Sequence, residues 1–593
     1  MLTKLKDWVV ILRRHYLARL LLLSALVGVV AALGAWMFTA VIDFAGNIFL
    51  TRLIGYQIPL PGAEGPSLIP AAATHRWLLL VVPAIGGLLS GLTIHWLAKE
   101  AAGHGTDAVI NAFHRGSGVM RKRVPFVKTL ATAFTLGTGG SAGREGPITQ
   151  VGSGFGAMIG KWFDCGPRER RLLVLAGAGA GLGAIFRSPL GGAIFATEVL
   201  YREMDFETPA LVPAFIASII SYSVYCAITG TWGAVFTVPV LKFNHILELP
   251  AYVVLGILCA LVGVIYLKTI HVTEEQVFDR LKLPVYIKPA VGGLLLGGIG
   301  YFLPEILGQG YGWAQLAMDG RLSLALVTTI FAVKILATAL TIGSGGSGGT
   351  FAPSVVIGGL LGTTLGLLMR QWLPGISPDL PAFALVGMAG FLAGVAKTPL
   401  AALIMISEMT LGYGLLVPLM LATAGAYVLV PRKLSLFKSQ VNTRVDSPAH
   451  EGEFVAGSLE RLFARDAMPA GQILVTFRSA TGLPEILTAV ADSRQLIFPV
   501  LNESGKLSGV IPFHTIRVFL TERELPEHAV VAADLLAPNF SAVALDEDLV
   551  VALRKFREAK LEELPVVTST TPPQLVGLLN RRDVLAVYHD NFI

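Results

Sequence analysis

The residue best placed to do chemistry is a glutamate inside a glycine-rich, apolar run. Glu145 lies in GTGGSAGREGP at 137–147. Glycine turns that open a helix expose backbone N–H groups, and the helix dipole adds positive potential. Such a site holds an anion without a full cationic charge, so the anion can leave again. A carboxylate beside those amides can take the anion's own place, block the path, and be released by protonation or rotation. At membrane depth a carboxylate is costly and is functional by default. The competing reading, an ion pair with Arg144, is weakened because chain neighbours point to different sides of a helix.

The elements that must position Glu145 come in duplicate. GSGGSGGTFAP at 343–353 aligns with the first loop at six of eleven positions. RSPLGGAIFATE at 187–198 likewise aligns with KTPLAALIMISE at 397–408. The two motifs are 42 residues apart in the first half and 46 in the second, counted proline to proline. Duplicated halves with interrupted helices are a transporter signature, with the site between the halves. The donors expected at that site are the backbone amides of Gly146, Thr350 and Phe351. Glycines used only for close helix packing would explain one such loop but not two.

Composition sets the frame. The 593 residues are 53% hydrophobic and 15% charged, too apolar for a soluble chain of this length. Net charge is +12 through residue 450 and −6 beyond it, which separates a membrane domain at 1–450 from a soluble tail. Apolar stretches at 20–42, 77–97, 209–228, 251–270 and 323–341 are long enough to cross a bilayer. Others, at 126–136, 149–162, 172–186, 189–200, 354–369 and 382–395, are short or broken by Gly and Pro. Broken helices are tolerated only where they are buried in protein or line a cavity, so these should build the site. The basic start, with Lys4, Lys6, Arg13, Arg14 and Arg19, is expected to form a surface helix on the inner side. Cys165, Cys226 and Cys259 form no metal or disulfide pattern and are expected to be packing residues.

After residue 450 short strands alternate with amphipathic helices. Asp466 and Asp534 are 68 residues apart, as are Gly509 and Gly577, and FPVL at 498–501 matches LPVV at 564–567. Two α/β units follow, at 451–525 and 526–593.

GSAGREGP, GGTFAP and the GHG loop at 103–105 resemble the three anion-site segments of the CLC family of chloride channels and chloride–proton antiporters. The resemblance covers nearly the whole chain. It implies an all-α membrane domain of two inverted repeats with broken helices, followed by an α/β pair of CBS domains. It also implies a homodimer with one pore per subunit, chloride and related anions as cargo, and Glu145 as the gate. The anion-binding set it implies is His104, Gly105, Arg144, Gly146, Thr350, Phe351 and Phe437. The setting is a plasma or inner membrane, with the tail in the cytoplasm.

Three positions depart from the family pattern. His104 stands where a serine is usual, and Phe437, in LSLFKSQ, where a tyrosine is usual. Both usually give a hydroxyl to the central anion. Here only His104 could donate, through a ring N–H, or it could be a satisfied structural group. Val199 stands at the inner proton position of many exchangers. Glu203, four residues on, would share its face on a continuing helix and could substitute. Glu198 and Glu408 are repeat mates expected to bond helix ends. Lys128 either adds positive potential near the pore or snorkels.

In the tail, GLLNRRD at 577–583 is similar to the ribose-binding edge of a CBS motif, with Asn580 and Asp583. Thr515 takes the aspartate's place in the first unit. One adenine-nucleotide site for ATP or AMP is the most this allows; a purely dimerising module is the alternative. No HExxH pattern appears, and no GxSxG elbow with its triad partners, so nothing marks an enzyme. No metal or resident cofactor is expected, and the basic pI reflects membrane loops rather than nucleic-acid binding. Missing an inner titratable group, the chain reads as a passive gated chloride channel, with a proton-coupled chloride antiporter as the alternative.

Overall fold

The computed structural model describes residues 16–592, except 63–64, 66–68, 71–72, 244–245, 373–378, 451–461, 470, 523–529, 538–539 and 569–573. The basic start before Tyr16 lies outside the described residues. Two compact units are separated after Ala449.

Among the described residues, sixteen α-helices build the first unit. The first eight are α1 (Tyr16–Gly46), α2 (Val82–Leu97), α3 (Thr106–His114), α4 (Val124–Gly137), α5 (Glu145–Trp162), α6 (Pro167–Phe186), α7 (Pro189–Glu198) and α8 (Thr208–Thr229). Then come α9 (Leu249–Val272), α10 (Lys288–Phe302), α11 (Tyr311–Met318), α12 (Leu324–Gly343), α13 (Phe351–Trp372), α14 (Leu380–Ala396), α15 (Pro399–Thr410) and α16 (Leu416–Leu429). Each helix of the first eight recurs, in order, in the second eight. The short members recur as well: α3 has 9 residues and α11 has 8.

Among the described residues, six helices, some with short π or 3-10 extensions, are long and apolar enough to cross a membrane: Tyr16–Ile54, Arg76–Leu97, Thr208–Thr229, Leu249–Phe278, Leu324–Gly343 and Phe351–Trp372. The first five coincide with the long stretches of the sequence. The sixth corrects an expectation, because α13 runs unbroken over 22 residues where 354–369 reads as a broken segment. Its glycines are contact points, not breaks. A Cβ at Gly358 would collide with the carbonyl oxygen of Gly387 in α14, and one at Gly387 with that of Gly358. The repeat mates Gly152 and Gly177 make the same reciprocal approach between α5 and α6. Backbones this close leave no room for side chains, the usual means of packing helices where lipid gives no hydrophobic drive. The three cysteines are free and buried in this packing, as expected.

The second unit contains two three-stranded sheets of the same design. In the first, β1 (Phe477–Arg478) pairs parallel to β2 (Ile497–Leu501), and β2 pairs antiparallel to β3 (Leu507–Pro512). In the second, β4 (Val543–Ala544), β5 (Glu563–Val567) and β6 (Leu575–Asn580) repeat the pattern. Gly509 sits opposite Val500 and Gly577 opposite Val566. A Cβ at Gly509 would meet Leu536, and one at Gly577 would meet Met468. The segment leading each unit therefore crosses onto the other unit's sheet. Asp466 and Asp534 anchor these segments alike, their carboxylates accepting from the backbone N–H of Phe463 at 2.8 Å and Val531 at 3.1 Å.

Candidate anion pathway

The two glycine-rich loops meet. Gly143 N–H donates to Gly349 O at 2.7 Å and Gly349 N–H donates back to Gly143 O at 2.6 Å, a one-rung antiparallel bridge. The bridge brings the N-termini of α5 and α13 together, so both helix dipoles and their free N–H groups converge on one place. The GHG loop joins them, with Gly348 N–H donating to Gly103 O at 3.3 Å. Gly103 and Gly105 have φ of 66° and 88°, which glycine adopts at little cost.

Glu145, the first residue of α5, is fully buried. Its Oε2 accepts from the backbone N–H of Ala352, in the first turn of α13, at 3.3 Å. Its Oε1 accepts from the Tyr311 hydroxyl at 2.8 Å. The carboxylate thus sits on a helix-start amide of the opposite repeat.

A vestibule lies on either side. One, of about 570 Å³, is lined by Arg144, Arg187, Gln309 and Tyr311. The other, of about 350 Å³, is lined by His104, Gly105, Thr350 and Lys438, and so opens toward the segment that leads to the tail. The C-terminal end of α4 lines the first vestibule and that of its mate α12 lines the second. Mates that run toward opposite vestibules are inverted.

Aromatic rings pack around His104, which lines the second vestibule. Phe437 is buried, its ring centroid 5.4 Å from that of His104 and 6.4 Å from that of Phe195. Phe351 lies 5.8 Å from Phe195 and 4.7 Å from Phe186. His104 Nε2 pairs with Asp107 at 3.1 Å, while its Nδ1 is buried without a hydrogen-bond partner among the described residues. Asp107 also accepts from the backbone N–H groups of Lys438 at 3.2 Å and Ser439 at 2.8 Å, fixing the Phe437 loop. Burial works against its charge, but His104 and these amides outweigh burial and hold its carboxyl below the usual range.

Residues 86–430 match the family model described as voltage gated chloride channel, and residues 531–590 match the CBS domain. The chain belongs to the voltage-gated chloride channel, or CLC, family. A chloride channel protein of Ralstonia nicotianae, described as ClcB-like, is 33% identical over 375 residues, covering 62% of this chain and 86% of the relative. An H(+)/Cl(-) exchange transporter, ClcA, of Salmonella arizonae is 29% identical over 425 residues, covering 69% and 85%. Among solved structures, a slow cyanobacterial Cl-/H+ antiporter matches 70% of this chain and 94% of its own, with a TM-score of 0.61 and 24% identity. A eukaryotic CLC transporter matches 96% and 98%, with a TM-score of 0.55 and 19% identity. Both share the fold. This CLC chain is a multi-pass membrane protein of an anion-transporting family.

The structure also places Val199 and Glu203. Val199 is buried and caps α7, and its carbonyl accepts from Gln440 Nε2 at 2.9 Å. The helix does not continue, so the expectation that Glu203 shares the face of Val199 is corrected. The chain turns after Glu198, and the N–H groups of Arg202 and Glu203 donate instead to the carbonyls of Val441 and Asn442. Glu203 lies in a separate cavity of about 280 Å³, its side chain 42% exposed and paired with Arg432 at 3.1 Å.

Glu198 and Glu408 cap each other's helices. Glu198 accepts from the N–H groups of Leu400 at 3.1 Å and Ala401 at 2.7 Å, at the start of α15. Glu408 accepts from Gly191 N–H at 2.8 Å and the Ser188 hydroxyl at 2.5 Å, at the start of α7. Lys128 does not snorkel: fully buried, it donates to Ala101 O at 3.0 Å and Gly103 O at 2.6 Å.

Three features escape the sequence reading. GQG at 308–310 mirrors GHG, with φ of 65° at Gly308 and 95° at Gly310. Lys334 mirrors Lys128, and Tyr311 reaches Glu145. The signal for the second was present: Lys128 lies 17 residues before Glu145, and Lys334 lies 17 before Phe351.

In the CBS tail, Thr515 and Asp583 occupy equivalent places, each the third residue of the helix after its sheet's last strand. Asn580 Nδ2 donates to Glu563 Oε1 at 3.2 Å. The other Glu563 oxygen accepts from the N–H of Leu496 at 2.8 Å, so the two sheets are tied through this side chain.

Proposed function

We propose that this chain exchanges chloride for protons across a cytoplasmic or inner membrane, with Glu145 as both gate and proton carrier. The observation that carries the reading is the contact between Glu145 Oε2 and the Ala352 N–H. An ionised Glu145 occupies an anion's donor. Protonation removes the charge that those dipoles attract, so the side chain can leave and an anion can take its place. Return of the carboxylate expels the anion and releases the proton, which links the two movements. The ClcA relatives, 29–30% identical and named as H(+)/Cl(-) exchangers, support this reading. The anion donors are the helix-start amide of Ala352 and those expected from the sequence, Gly146, Thr350 and Phe351, with Gly105 giving close approach. His104 lines one vestibule with Phe437 packed against it, and Arg144 draws anions into the other.

A passive gated chloride channel is the second reading. Val199 favours it, because it cannot hold a proton on the inner route. Anion efflux from proteoliposomes, measured against pH, tests the gate in both readings. The wild type should conduct in a pH-dependent way, and Glu145→Gln and Glu145→Ala should lose that dependence. No efflux from the wild type would overturn anion transport; a normal pH response in both variants would remove Glu145 as the gate.

The protein is further read as a homodimer with one pore per subunit and the tail in the cytoplasm. The tail is read as an adenine-nucleotide sensor using Asp583, with Asn580 and Thr515 beside the ribose edge. AMP binding to the full-length protein should be saturable and lost in Asp583→Ala; binding that survives would place the site elsewhere.

A further inference from the structure

We infer that the Tyr311 hydroxyl is the latch that holds Glu145 in the closed pathway and so sets the pH at which the pathway admits anions. The inference rests on Glu145 being the gate. The two carboxylate oxygens are held separately, Oε1 by Tyr311 at 2.8 Å and Oε2 by Ala352 N–H at 3.3 Å. The tyrosine contact is the shorter, and it is the side-chain half of the clasp.

Tyr311 is presented rigidly. It opens α11 directly after Gly310, whose φ of 95° turns the chain inward. The carbonyls of Ile306 and Gly308, just before it, are gripped by Lys334 Nζ at 2.8 and 2.7 Å. The ring is buried and stands edge-on to Phe236 at 5.6 Å. A hydroxyl fixed in this way loses little entropy when it donates to the carboxylate. The mate of Tyr311 in the first repeat is Thr106, after Gly105, so the long hydroxyl-bearing side chain belongs to one repeat only.

The latch faces the vestibule lined by Arg144 and Arg187, so releasing it opens the path toward that side. The other groups on this face are Arg144 beside Glu145 along the chain, and Arg187, Asp43, Tyr56 and Tyr225 lining the same vestibule. From α13 the first-turn contact to Glu145 is backbone alone. Tyr311→Phe changes none of these. It removes one donor and keeps the ring, so its effect reports the hydroxyl.

A donor to the charged form favours that form. Without it, Glu145 should protonate and leave at higher pH. A hydrogen bond to a charged group corresponds to a shift of about one to two pH units. The test is anion efflux against pH for the wild type, Tyr311→Phe, Glu145→Gln and the double variant, with thermal unfolding as the folding control. Tyr311→Phe should move the half-activation pH upward by about one to two units and raise efflux at neutral pH. In the Glu145→Gln background the same substitution should change efflux less than about twofold, since a neutral amide no longer needs a charge latch. A Tyr311→Phe curve that overlies the wild type while Glu145→Gln has lost its pH response overturns the latch and leaves the gate. An equal effect of Tyr311→Phe in both backgrounds also overturns it, as a structural role would give. A Glu145→Gln variant that keeps the wild-type pH response overturns gate and latch together.

Discussion

Lys128 and Lys334 make the same pair of bonds in the two inverted repeats. Lys128 Nζ donates to the carbonyls of residues 101 and 103, and Lys334 Nζ to those of residues 306 and 308. Each is a buried lysine whose work is to fix a glycine loop, but the loops face opposite vestibules. The two lysines should therefore fail differently. Lys334→Met should loosen the loop that presents Tyr311 and shift the pH response in the direction of Tyr311→Phe. Lys128→Met should loosen the GHG loop and weaken apparent anion affinity with little change in the pH midpoint. Identical effects on both readouts would contradict the assignment of the loops to separate tasks.

The reciprocal glycine contacts make a sharper stability test. Gly358→Ala and Gly152→Ala each place a Cβ against a backbone carbonyl that cannot move aside. Overpacking of this kind costs about 1–3 kcal/mol or more. Both variants should unfold in detergent well below the wild type or fail to accumulate. Gly298→Ala, in α10 with open space around it, should be neutral or stabilising by up to about 1 kcal/mol. Equal tolerance of all three would contradict the packing described.

Asp107 gives a pH-dependent term outside the spans. Its carboxyl is held below the usual carboxylate range, so its contribution is present above the unfolded value near 4 and is lost as pH falls through the folded value. Asp107→Asn should lower stability at pH 7 by about 1–3 kcal/mol, the scale for charged hydrogen bonds. The difference should shrink as pH falls below about 4, where the wild-type carboxyl is protonated too. Thermal unfolding from pH 3 to 8 measures it. A difference that stays constant across this range would mean that the charge contributes nothing.

Much of this was legible because some residues have few alternatives. A duplicated glycine loop ending in proline points to two loops that meet, and the structure joins them through Gly143 and Gly349. Glu198 and Glu408 were readable as helix-end partners from their shared place in the repeat. Tyr311 was not, because nothing local distinguishes a buried tyrosine from one that reaches across the repeats to a carboxylate. The family pattern drew attention to Lys128, whereas Lys334 carries the same relation in the half where no glutamate marks the loop. The glycines of α13 read as breaks because sequence cannot tell a helix weakened by glycine from one thinned to admit a neighbour. Glu203 misled for a related reason: the four-residue spacing suggests one face only while the helix lasts, and α7 ends at Glu198.

The central claim is that Glu145 carries a proton in exchange for the anion it excludes. Proteoliposomes loaded with chloride, diluted into low chloride at equal pH with compensating potassium conductance, test it most directly. Chloride efflux should draw protons inward against the pH gradient that builds, with the external medium turning alkaline until a protonophore collapses the gradient. Glu145→Gln should pass chloride with no proton movement. Wild-type chloride efflux without any proton movement would contradict exchange and leave a passive channel, in which Val199 marks a proton route that was never built.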